Sequence, residues 1–132
     1  MVMRIKYVVD TWAWIEYFIS SSRGEKVKKI LENTENEIYV NSIIFAEVIS
    51  KFVREGKDLD TTFSALTTLA KMVNISSPDL AQDAGKIHAE MKKKISDFGL
   101  ADAFVLAAAR NINAKILTGD VHFKGIKEAI ML

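Results

Sequence analysis

The run Tyr7-Val8-Val9 is apolar on consecutive positions and stops at a carboxylate, Asp10, followed by Thr11. Successive side chains of a strand point to opposite faces, so a strand apolar on both faces must be covered on both. A second run of this kind, Lys115-Ile116-Leu117-Thr118, also leads to an acid through Gly119-Asp120. Between and around these runs, strand-like and helix-like stretches alternate. Alternation of this sort requires crossover connections and yields a parallel sheet flanked by helices on both faces. The expected class is therefore α/β, with one domain spanning residues 1–132.

The intervening segments supply the rest of the pattern. The first strand is expected over Arg4 to Val9, with Thr11 capping a helix from Trp12 that places Trp12, Ile15, Phe18 and Ile19 at helical spacing. A helix is expected over Glu25 to Leu31 and a strand over Glu37 to Val40. Ser42 is the expected N-cap of a helix reaching about Glu55. A helix over Leu59 to Lys71 and a strand over Val73 to Ile75 follow. Ser77-Pro78 then combines a capping hydroxyl with proline at the first helical position, opening a helix to about Ile95. Ala101 to Asn111 reads as an alanine-rich helix, Lys115 to Thr118 as a strand, and Ala129 to Leu132 as an edge strand.

Composition narrows the chemistry. The 132 residues contain no cysteine, which excludes disulfides and thiolate metal sites and fits a reducing, cytoplasmic setting. The first apolar run ends at Asp10, too early for a secretory core, and no run approaches the roughly 20 apolar residues that span a bilayer. A net charge of +1 does not mark a polyanion binder, so any positive surface must be local. Lys28-Lys29, Lys51 with Arg54 and Lys57, and Lys92-Lys93-Lys94 are the candidate clusters, and each also suits a solvated helix face.

Four acids stand at the beginnings or ends of expected elements: Asp10, Glu47, Asp102 and Asp120. Each has an ordinary explanation when taken singly. Asp10 can cap a helix, Glu47 can be a half-exposed helix residue, Asp102 suits the positive end of a helix, and Asp120 suits a turn. Taken together they differ, because ligands of open parallel sheets bind outside the carboxyl ends of the strands. Four carboxylates at one edge repel unless a cation sits among them. The pattern reads as a divalent-metal site for cutting a phosphodiester.

The order of these pieces resembles the PIN-domain family of metal-dependent nucleases, especially its small VapC-type toxin ribonucleases. The resemblance covers essentially the whole chain, and its strongest parts are Val8-Val9-Asp10-Thr11, Ile44-Phe45-Ala46-Glu47-Val48, Asp102 through Ala109, and Ile116-Leu117-Thr118-Gly119-Asp120 followed by Phe123. It implies that Asp10, Glu47, Asp102 and Asp120 form an acidic pocket for Mg2+ or Mn2+, with the Thr118 hydroxyl in support. It further implies an endoribonuclease using metal-activated water, with two ions roughly 4 Å apart, and 5′-phosphate and 3′-hydroxyl products. Hard cations of this kind take oxygen ligands and keep several waters. One departure stands out: many relatives carry an acid where this chain has His122, which reads first as a surface turn histidine and, as a fifth ligand, would tolerate Mn2+ better than Mg2+. Asp97, near Asp102, reads first as a loop carboxylate in a cap and otherwise as a compensating acid.

Thr11, Arg110 and Lys124 are candidate substrate contacts. Trp12, Trp14, Tyr17 and Phe18 fit either base stacking or a core, and the helices over Ile43 to Phe52 and Leu59 to Met72 fit a homodimer face. A cognate antitoxin would block the acidic groove, by inserting an Arg or Lys among the carboxylates. Two alternatives within the family are a nuclease of RNA processing and a catalytically silent RNA- or protein-binding module. A haloacid-dehalogenase-like phosphatase is disfavoured because Trp12 stands where its second aspartate is required. A receiver domain is disfavoured because Tyr7, Val8 and Val9 replace its paired acids.

Overall fold

The computed structural model describes residues 4–132; Met1, Val2 and Met3, included in the single-domain expectation, lie outside them. The elements run β1 (Lys6–Val9), α1 (Thr11–Phe18), α2 (Ser22–Leu31), β2 (Glu37–Asn41), α3 (Ser42–Arg54), α4 (Leu59–Leu69), β3 (Lys71–Val73), α5 (Pro78–Lys92), α6 (Leu100–Asn111), β4 (Lys115–Thr118), a 3₁₀ turn (Val121–Phe123) and β5 (Ala129–Met131). All strand pairs are parallel, in the order β3-β2-β1-β4-β5. The α/β expectation holds.

This order puts β1 in the centre, with Val8 and Val9 fully buried. The chain builds outward on one side through β2 and β3, then returns to place β4 and β5 on the other. The reversal lies between β1 and β4, so a crevice opens at their carboxyl ends. Val9 pairs with Leu117, and the Asp10 amide donates to the Leu117 carbonyl at 3.0 Å. Asp10 and Thr118 are thereby set side by side at the mouth of the crevice.

Several boundaries differ from expectation for identifiable reasons. Asp10, not Thr11, caps α1: its backbone is extended and its carboxylate accepts the Thr11 amide. Asn41, not Ser42, caps α3, its side-chain oxygen accepting from the Ile44 amide at 2.8 Å. Helix α2 begins at Ser22 rather than Glu25 because Ser21 provides the cap. The third strand is Lys71–Val73 rather than Val73–Ile75, since those residues meet Tyr39–Asn41 in register. Helix α5 stops at Lys92, short of Ile95.

Two apolar clusters make up the core. The larger joins Trp14, Ile44, Phe52, Leu66, Leu106, Ile116 and Phe123 with the strand residues. The smaller packs Leu80, Ala84 and Phe98 against Ala103 and Ala107 of α6. Alanines on that face let α5 lie close, which holds the start of α6, and Asp102 with it, against the sheet edge. No helix among the described residues is long and apolar enough to cross a membrane.

Candidate metal centre

Three carboxylates converge at the crevice, and one hydroxyl organises two of them. The Thr118 Oγ1 donates to Asp10 Oδ2 at 2.9 Å and accepts from the Asp120 amide at 3.0 Å. Thr118 is fully buried, so this pair of hydrogen bonds fixes the end of β1 relative to the turn after β4. Asp10 Oδ1 accepts the Thr11 amide at 2.9 Å, and Thr11 Oγ1 in turn donates to Glu47 Oε1 at 2.9 Å. Asp102 reaches back to the Gly99 amide at 3.1 Å, so its carboxylate is held at the positive end of α6. Asp120 Oδ1 accepts the His122 amide at 2.9 Å.

The turn between Thr118 and Asp120 is packed tightly at glycine. A Cβ at Gly119 would lie 2.5 Å from the Trp12 ring, which therefore rests directly on this backbone. The Arg23 guanidinium stands over the same ring, 5.4 Å from its centroid. Trp12 is thus packed at the site, whereas Trp14, Tyr17 and Phe18 pack among themselves and against Phe52 in and around the core.

The electrostatics follow from burial and crowding. Burial pushes the Asp10 carboxyl up to about 7; the Thr118 and Thr11 hydrogen bonds oppose the rise, and the charges of Asp102 and Asp120 add to it. Asp102 is also raised, first by burial, with the Gly99 amide opposing and the Asp120 charge reinforcing. For His122, burial disfavours the charged form, but the bond to Asp97 and the charges of Asp120 and Asp97 outweigh it and raise the pKa. The hydrogen bond from His122 holds Asp97 below the usual carboxylate range. A group of acids held this way favours a bound cation.

Ligand atoms of Asp102, Asp120 and His122 all lie within 4.8 Å of one another. Their donors are carboxylate oxygens and one imidazole nitrogen, and the buried His122 Nδ1 has no hydrogen-bond partner among the described residues. This donor set fits a divalent ion. Asp10 stands behind the three, linked through Thr118. Glu47 is exposed at the rim, linked through Thr11. Lys124 is exposed just past the 3₁₀ turn. Arg110 is elsewhere: eight residues beyond Asp102, about 12 Å along the helix, its Nε lies 3.1 Å from Glu128 Oε2.

Beside Glu47, an open groove of about 560 Å³ is lined by Thr11, Ser42, Ala46, Lys51 and Arg54 among others. Two cations of the Lys51-Arg54-Lys57 cluster therefore share this groove with Glu47, Lys51 being paired with Glu55 at 2.9 Å. Asn41 escaped notice in the sequence. It ends β2 two residues past Tyr39, the partner of Val8, so it is level with Asp10, and it is fully buried with Nδ2 unpartnered among the described residues. The signal was present, since Asn41 closes an apolar strand as Asp10 does.

Fold and site together define a parallel α/β protein with a carboxylate centre at the switch point of its sheet. The sequence profile of the PIN domain matches residues 7–129, and the chain belongs to the PIN-domain family. Among solved structures it is similar to a chain of a toxin–antitoxin complex from Klebsiella pneumoniae, with TM-score 0.69 and 23% identity over 95% of this chain and 96% of that one. VapBC2 from Rickettsia felis, bound to a DNA fragment from its promoter, matches with TM-score 0.70 and 21% identity over 97% and 98%. Mycobacterium tuberculosis VapC20, a sarcin–ricin loop cleaving toxin, matches with TM-score 0.64 and 13% identity over 83% and 85%. No curated protein matches the chain.

Proposed function

We propose that this chain is a single PIN nuclease domain over residues 1–132, an Mg2+- or Mn2+-dependent endoribonuclease and the toxin of a VapBC-type pair. The observation that carries the reading is the Thr118 hydroxyl, which ties Asp10 to the Asp120 turn while Asp102 faces both. The likeness to VapBC complexes and to a sarcin–ricin loop cleaving toxin supports it.

Asp102 and Asp120 are the proposed protein ligands of the ion, with Asp10 behind them and Glu47 at the rim. When bound, the ion supplies Lewis acidity toward water and the phosphate oxygens. Thr118 and the Thr11 amide orient the two Asp10 oxygens, and the Gly99 amide orients Asp102. Thr11 positions Glu47 and borders the groove where Lys51 and Arg54 would meet RNA phosphates. Lys124 is a second phosphate contact past the turn. Arg110, ion-paired with Glu128 at the other end of α6, has a structural role instead.

A cognate antitoxin would cover this groove in the cytoplasm. Leu100 and Val121, exposed beside Asp102 and Asp120, give it apolar contacts. Val53 on α3 and Leu59 and Phe63 on α4 are exposed, and these two helices suit the homodimer face. The test is cleavage of end-labelled single-stranded RNA with Mn2+, Mg2+ or EDTA, comparing wild type with Asp10→Asn and Asp102→Asn. Metal-dependent cutting lost in both variants supports the reading. Cutting that persists in both, or in EDTA, overturns it.

A further inference from the structure

His122 is held by more contacts than a turn residue needs. Its Nε2 lies 3.2 Å from Asp97 Oδ2, and an ionised carboxylate can only accept, so Nε2 carries the proton of that pair. In the neutral ring Nδ1 then presents a lone pair. Nδ1 is buried, 3.4 Å from Asp102 Oδ2 and 3.4 Å from Asp120 Oδ1, yet hydrogen-bonded to neither. A lone pair equidistant from two carboxylate oxygens is repelled by both unless Nδ1 takes up a proton or a metal ion lies among the three. Adjacent ligands of a six-coordinate ion with bonds of roughly 2.2 Å are about 3 Å apart, close to these separations.

Phe98 pins the arrangement, since it is fully buried and its ring centroid lies 6.4 Å from that of His122. A carboxylate bonded to the far nitrogen of a histidine, with the near nitrogen facing the ion, is the usual way proteins fix a metal-binding imidazole. Asp97 lies 25 residues before His122 in the chain, so the pairing is made by the fold rather than by local sequence.

We propose that His122 Nδ1 is a nitrogen ligand of this centre, oriented by Asp97, and that it biases the site toward a first-row transition ion such as Mn2+ over Mg2+. Imidazole suits borderline transition ions, whereas Mg2+ prefers an all-oxygen shell. The inference rests on the carboxylates forming a metal site, as proposed above.

The test is pulsed EPR of the Mn2+-loaded full chain, paired with calorimetric affinities for Mn2+ and Mg2+. Wild type should show nitrogen modulation that is absent from His122→Gln. Mn2+ affinity should fall on the order of tenfold or more in that variant, and on the order of tenfold in Asp97→Asn, with a smaller change for Mg2+. Mn2+ bound by wild type without nitrogen modulation overturns the inference while leaving the metal site intact. So does an equal loss of Mn2+ and Mg2+ in His122→Gln. Wild type that binds no Mn2+ overturns both the inference and the metal site beneath it.

Discussion

The two edges of the sheet treat their acids differently. At the amino edge, Glu37 at the start of β2 has Lys71 at 3.6 Å, and Glu128 before β5 has Arg110 at 3.1 Å. At the carboxyl edge, Asp10, Asp102 and Asp120 face one another and, among the described residues, no Lys or Arg is paired with them; the His122 ring stands beside two of the three. Pairing at the first edge satisfies charges that serve only the fold. Crowding at the second leaves negative charge uncompensated, at a cost in stability that a divalent cation would relieve. A fold retains such a cost where the charge has work to do.

The largest effect expected from breaking this contrast is on RNA cleavage. Asp102→Asn should lower it by at least about a hundredfold, since one of the charges that holds the ion is removed. Gel assays at matched Mn2+ measure this. Glu128→Gln at the opposite edge should leave the rate within about twofold, as expected of an exposed pair that contributes little.

The pH dependence of metal-free stability should be next in size. Asp10 sits at about 7 in the fold against 3.8 unfolded, so the fold favours its neutral form. That stability is complete below pH 3.8 and is lost as pH rises toward 7. Asp102 and His122 are raised too and act in the same direction. Each pKa unit corresponds to about 1.4 kcal/mol, which sets a ceiling of roughly 4 kcal/mol for Asp10. Urea unfolding in EDTA at pH 4.5 and 7.5 should show the loss, and Asp10→Asn should flatten it. An equally steep fall in Asp10→Asn would contradict the assignment of the effect to this residue.

Gly119→Ala sharpens the contrast by steric means. Its methyl would meet the Trp12 ring at 2.5 Å, so either the ring or the Asp120 turn must move. A destabilisation of about 1–3 kcal/mol is expected from such overpacking, with cleavage impaired beyond what the stability loss explains. Breaking the amino-edge pair by Arg110→Ala should have the smallest effect, within about 1 kcal/mol, and should leave Mn2+ binding unchanged.

Much of this contrast was legible in the sequence, and the limits have physical causes. Buried parallel strands are apolar on consecutive positions, so β1 and β4 stood out, and each run leads to its acid. The link through Thr118 was foreseen from family resemblance, but its partners depend on the register of Val9 with Leu117, which no local pattern encodes. Caps were misplaced by one residue at Thr11 and Ser42 because adjacent polar residues compete for the same amides. Arg110 was close to an acid in the chain but not in space, since a helix carries two residues eight apart to different ends. The pairing of His122 with Asp97 depends on how the loop before α6 folds over Phe98. Glu47 had helical spacing, yet its attachment to the site through Thr11 appears only when α1 and α3 are packed together.

The most direct measurement is calorimetric titration of Mn2+ into the metal-free chain at pH 7.5, repeated in buffers of different ionisation enthalpy. If the carboxyl edge is a metal centre built from crowded acids, wild type binds Mn2+ and releases protons, because Asp10 is partly protonated beforehand. Asp102→Asn then loses most of the affinity, and Asp10→Asn releases fewer protons than wild type. Absence of Mn2+ binding by wild type, or binding equal in wild type and Asp102→Asn, would contradict the account.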